Sequence, residues 1–195
     1  MNVPHGEIQG MFKLLFIGTR GEIEARTKLH NMHSSLLIGC GRKKIMLDCG
    51  LDWLGKFEKF KPDAIVLTHA HPDQAWGLKN GAPCPVYAPE RAWRSLENCG
   101  SLERITLDLR APRRIFGVTF EPFAVEHSPR CPAVGYRISA GPARFFCSPD
   151  VAYIPEHARA LDGVRLYIGD GATLSRSMVR RAATGYSATR PCAPN

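Results

Sequence analysis

The stretch Ile65-Val66-Leu67-Thr68-His69-Ala70-His71-Pro72-Asp73-Gln74 begins as an apolar run and ends in side chains able to bind metal. Two histidines separated by one residue can reach a common ion when the backbone between them is extended or tightly looped. Imidazole nitrogen suits zinc, iron, manganese or nickel, so ligand type leaves the metal open. Asp73 brings an anionic oxygen to the same region, while Pro72 fixes its own φ and restricts His71 before it. Residues 65–67 read as a strand covered on both faces, and α/β architectures gather ligands beyond the carboxyl ends of such strands. The alternative is a polar loop tip with two unrelated histidines.

Four other strand candidates end in comparable groups. Residues 116–125 alternate apolar positions and run into Glu126-His127-Ser128-Pro129, although a lone histidine is more often structural. Residues 143–147 lead to Ser148-Pro149-Asp150, and 43–47 lead to Asp48-Cys49-Gly50. Asp48 and Asp150 read equally well as helix caps or turn formers. Residues 164–168 run into Gly169-Asp170-Gly171, a further junction of strand and aspartate.

The elements that must position these residues are short. A strand at 11–17 ends in the turn Gly18-Thr19-Arg20-Gly21, and the polar segment 22–33 reads as a loop crossing toward the site. Residues 35–39 and 43–47 form a hairpin, and 51–61 read as a short amphipathic helix with Trp53, Phe57 and Phe60 in the core. A short helical turn at 75–79 follows the histidine cluster. A strand at 85–88, a helix opened by Pro89-Glu90 and a strand at 104–109 come next. A hairpin at 133–139 and 143–147 and a helix at 173–183 complete the series.

The bulk numbers fit an ordinary globular chain of one domain: 195 residues, 44% hydrophobic and 23% charged. No apolar stretch is long enough to span a bilayer, and residues 1–10 lack the apolar core of a signal peptide, so a cytoplasmic protein is expected. The seven cysteines form no C-x-x-C pair, which favours free thiols. A net charge of +8 favours anionic partners or substrates. The basic residues are dispersed in separate groups: Arg42-Lys43-Lys44, Arg110 with Arg113-Arg114, and Arg176 with Arg180-Arg181.

The run THAHPDQ resembles the Thr-His-x-His-x-Asp-His signature of the metallo-β-lactamase superfamily, with Gln74 in place of the last histidine. The stretches EHSPRCPAVGYRIS and FFCSPD are similar to the phosphodiesterase and ribonuclease Z-like branch. The resemblance implies an α+β fold, a four-layer αββα sandwich, over residues 11–181. It implies His69, His71 and His127 on a first metal, with Asp73 and Asp150 serving a second and Asp150 bridging. Asp73 would also be the base beside the water, with Asp48, Gln74 and Asp170 as supporting residues. The expected cofactor is Zn2+, with Mn2+ or Fe also suitable, one ion firmly bound and the second weak or absent, because glutamine is a weaker, neutral donor.

Family members continue through another helix and strand to a Thr-His pair, whereas no histidine follows His157 here. The expectation is therefore a single domain over 1–195 that lacks the final strand and helix, apparently truncated at the C-terminus. Residues 1–10 would be a flexible leader and 184–195 a disordered tail. The implied function is a metal-dependent hydrolase that cleaves a phosphodiester through a metal-activated water, its substrate an anionic small molecule or a nucleic acid. The alternative is a degenerate, non-catalytic member acting as a binding or partner subunit. A homodimer or another partner would cover the incomplete C-terminal edge.

Overall fold

The computed structural model describes residues 13–22, 26–28, 30–128 and 131–169, and the backbone of 178–182 and 185–189. One mixed sheet takes the strands in chain order: β1 (Lys13–Gly18), β2 (Ser35–Cys40), β3 (Lys43–Leu47), β4 (Ala64–Val66), β5 (Val86–Ala88) and β6 (Arg104–Thr106). The first three are antiparallel neighbours, and β3 to β6 run parallel. The second mixed sheet has the order β11-β10-β9-β8-β7, from β7 (Arg113–Ile115), β8 (Val118–Ser128), β9 (Cys131–Ala140), β10 (Ala143–Cys147) and β11 (Leu166–Ile168). Only its β10–β11 pair is parallel.

The period-two alternation of strand side chains sorts the apolar residues into layers. Leu36, Ile38, Ile45, Leu47, Ala64 and Val66 face the second sheet and pack with Val118, Phe120, Val134, Tyr136, Ile138 and Phe145. Their chain neighbours Leu37, Met46 and Ile65 point the other way, onto Trp53, Phe57, Leu78, Ala92 and Leu96. The outer face of the second sheet buries Phe123, Val125 and Phe146 against Ile154 and Ala160. The helices on those outer faces are α1 (Pro72–Ala75), α2 (Glu90–Ser95) and α3 (His157–Ala160), with 3-10 turns at Leu51–Trp53, Phe57–Phe60 and Trp76–Leu78. The result is the αββα sandwich. Among the described residues no helix is long and apolar enough to cross a membrane.

Some local expectations need correction. The amphipathic helix over 51–61 is two 3-10 turns, because Gly55 takes a positive φ of 66° between them and breaks the helical path. Trp53 and Phe57 are nonetheless buried core residues. No helix covers 178–182: β12 (Met178–Ala182) is a strand paired antiparallel with β13 (Gly185–Thr189), with Ala182 opposite Gly185 in the register. The second strand of that hairpin lies within the segment read as a tail. The leader at 1–10, Asp170 and Cys192 lie outside the described residues. The other six cysteines are free thiols.

Candidate metal centre

The histidine stretch leaves β4 and passes under the second sheet, which holds it in place. Tyr136 on β9 donates its hydroxyl to the carbonyl of Leu67 at 2.7 Å, and the Val134 N–H bonds the carbonyl of Thr68 at 3.1 Å. From below, Asp48 accepts the backbone N–H of Thr68 at 2.7 Å and lies 2.9 and 3.0 Å from its hydroxyl. Asp48 takes a left-handed φ of 60°, a region that aspartate tolerates better than most residues. It does not cap the 3-10 turn at Leu51, whose N-cap is Gly50. Burial pushes the Asp48 carboxyl well above the usual range, and the bonds from Thr68 pull in the opposite direction.

The same Thr68 hydroxyl is 3.0 Å from Nδ1 of His69. A hydroxyl has one proton, so when it donates to Asp48 it accepts from His69 Nδ1–H, and the Nε2 lone pair is left facing the cluster. Nε2 lies 3.1 Å from Nδ1 of His71, which in turn lies 3.0 Å from Nε2 of His127. One nitrogen from each ring falls within 4.8 Å of the others, so the three histidines can coordinate a divalent ion. Burial, then the proximity of His127 and His71, holds His69 well below the usual imidazole range, so it stands as a neutral donor.

His127 reaches the cluster through an irregularity in its strand. The β8–β9 register shifts between Val125 and Ser128, with Glu126 and His127 in the displaced stretch, and Glu126 pairs with Tyr153 instead. Such bulges re-aim side chains beside functional sites. His71 is the extended N-cap of α1, and Pro72 follows at the first helical position.

The two aspartates lie beside the histidines without joining their group. Asp150 Oδ2 is 3.4 Å from His69 Nε2. Gln74 Nε2 donates to Asp150 Oδ2 at 3.0 Å and to Asp73 Oδ2 at 3.3 Å. Among the described residues, Asp73 Oδ1 and Gln74 Oε1 are buried without a hydrogen-bond partner. Burial raises the Asp73 carboxyl above its ordinary value.

A polar network absent from the sequence reading holds the glycine turn near the centre. Arg20 and Arg26 both bond the Asp52 carboxylate, which also accepts the His33 N–H at 3.0 Å. The Asp52 N–H returns to His33 Nδ1 at 3.1 Å, and Trp53 Nε1 bonds the His33 carbonyl at 2.9 Å. These residues are scattered over more than thirty positions, and only the polar character of 22–33 hinted at them. Burial works to raise the Asp52 pKa, but the bonds from Arg26 and Arg20 outweigh it and set the group at about 2. A free aspartate titrates near roughly 3.9, so the folded pKa lies below the unfolded one. The stability tied to Asp52 is then full above about pH 4 and lost as the pH falls toward about 2. Unfolding of the wild type and Asp52→Asn across that window should show a stability gap that closes with acid. A gap that does not change with pH would contradict the account.

Asp48→Ala tests the support from below. It leaves the Thr68 N–H and hydroxyl without their acceptor, and loss of such an outer partner weakens metal binding by roughly 10- to 100-fold. Calorimetric titration of metal-free protein with zinc checks it, and wild-type affinity in the variant would count against the role.

A model of the beta-lactamase superfamily domain matches residues 43–186. No curated protein matches significantly. Among solved structures, the metallo-beta-lactamase fold protein YhfI from Bacillus subtilis is 18% identical, with a TM-score of 0.66 over 80% of this chain and 70% of its own. A diphosphatase from the PhnP family is 23% identical, with a TM-score of 0.60 over 80% of this chain and 71% of its own. The short form of human tRNase Z is 16% identical, with a TM-score of 0.58 over 80% of this chain and 76% of its own. These likenesses agree with the αββα architecture, and the sequence match extends from β3 through the histidine stretch to the final hairpin, so the chain belongs to the beta-lactamase superfamily.

Proposed function

We propose that the chain is a metal-dependent hydrolase of phosphodiester bonds in an anionic small molecule or a nucleic acid, with His69, His71 and His127 holding one Zn2+ ion. The observation that carries the reading is the convergence of three imidazole nitrogens from two separate sheets. Packing alone gives no reason to gather three such rings at the end of β4 and in a bulge of β8. Three imidazole nitrogens with one position left open suit catalytic zinc, and Mn2+ or Fe would also be accepted. A bound ion would supply Lewis acidity, making a water more acidic and drawing charge from the phosphoryl group.

The chain's own residues do the rest. Thr68, fixed by Asp48, sets the tautomer of His69. Asp73 is the group to accept the proton of the attacking water, since its buried Oδ1 has no hydrogen-bond partner among the described residues. Asp150 supplies a second anionic oxygen next to His69. The phosphodiester class is supported by the net charge of +8, which attracts anions over long range, and by the diphosphatase and tRNase Z among the similar folds.

Bis(p-nitrophenyl) phosphate serves as the probe, with protein loaded with Zn2+ or Mn2+. Turnover should depend on the metal, stop with a chelator and be lost in His127→Ala. Absence of turnover on phosphodiesters by fully loaded protein would favour a binding or partner subunit, a reading to which Gln74 lends weight.

A further inference from the structure

Between the carboxylates of Asp73 and Asp150 lies the primary amide of Gln74. Gln74 Nε2 is 3.0 Å from Asp150 Oδ2 and 3.3 Å from Asp73 Oδ2, and the side chains of Asp73 and Gln74 are buried. A primary amide carries two hydrogens, one for each carboxylate, whereas a neutral imidazole carries a single N–H. The reverse amide orientation would press Oε1 against two carboxylate oxygens with no proton between them. Bonding therefore assigns the nitrogen to that side.

We propose that the Gln74 amide occupies the role of a second cation, so that this centre is built for a single ion. The inference rests on His69, His71 and His127 holding the first ion. A cation placed between Asp73 and Asp150 would meet amide hydrogens instead of a lone pair. To admit it, Gln74 must break both N–H···O bonds and turn its Oε1 inward. That oxygen is a neutral, weak donor for a borderline-soft ion. The Gln74 side chain meets the three-histidine position through Asp150 Oδ2, which lies 3.4 Å from His69 Nε2.

Metal-free full-length protein titrated with Co2+ tests the idea through visible absorbance and electron paramagnetic resonance, without recourse to turnover. In the wild type the d–d bands should saturate at one equivalent, with the spectrum of an isolated ion. Gln74→His removes the amide and adds a lone pair, and should take up a second equivalent at least about tenfold more tightly than any second binding in the wild type. Gln74→Glu, which adds a negative charge in place of the two donors, is the independent variant and should do the same with Mn2+. Two tight equivalents in the wild type, with magnetically coupled ions, overturn the proposal. So does a single equivalent in both variants when circular dichroism shows them folded. Failure of the underlying reading looks different: the wild type then shows no tight Co2+ binding, or binding that His71→Ala leaves unchanged.

Discussion

His71→Ala should release the bound ion while leaving the fold intact. Nδ1 of His71 stands between its partners, 3.1 Å from His69 Nε2 and 3.0 Å from His127 Nε2, so its removal separates a three-nitrogen site into two rings. Loss of an outer partner already costs up to about 100-fold in metal affinity, and loss of a direct donor should exceed that. The side chain is only partly buried at the mouth of the cluster, so truncation opens no large cavity in either core. Elemental analysis after dialysis should find about one zinc per wild-type chain and almost none in the variant, as expected for a site needing three protein ligands. Equal occupancy in the two proteins would remove His71 from the site.

How much of this centre could be read from the chain follows from how each residue is placed. His69 and His71 were legible because one short apolar run delivers both, and local spacing survives folding. The end-of-strand position of His127 was also visible in the alternation of residues 116–125. Its convergence with His71 was not, since that needs the second sheet stacked on the first and a register shift between Val125 and Ser128. Asp48 left two options open from sequence; its carboxylate accepts from Thr68 and does not cap the 3-10 turn. The Arg20, Asp52 and His33 network had no periodic signature, as its members meet through loops from distant positions. The hairpin of β12 and β13 shows the opposite error, in which a few apolar residues suggested a helix and strand pairing prevailed.

Gly50→Ala should damage folding and metal binding together, because the helix that carries Asp73 and Gln74 rests on the backbone at Gly50. The Cys49 N–H bonds the Gln74 carbonyl, and the Gly77 N–H bonds the Cys49 carbonyl at 2.8 Å, so the 49–50 corner and the 72–78 segment are laced together. A methyl group at Gly50 would overlap the carbonyl oxygen of Asp73, and it would also crowd the Cβ of His33 at 2.6 Å. Backbone cannot swing aside as a flexible side chain can, so α1 has to move away from the corner. The cost should reach about 3 kcal/mol or more, the upper range for overpacking a close-packed interior. Displacement of α1 also pulls Asp73, and His71 at its N-cap, out of register with His69 and His127. Gly41→Ala supplies the comparison. That glycine has a positive φ of 58° in the β2–β3 turn but no described residue within 4 Å of an added Cβ, so it should lose only the roughly 1 to 2 kcal/mol of a left-handed alanine and keep its metal. Denaturant unfolding and zinc content measured on both variants decide the matter. If Gly50→Ala proves as stable and as well loaded as Gly41→Ala, close backbone contact is not what seats the metal loop.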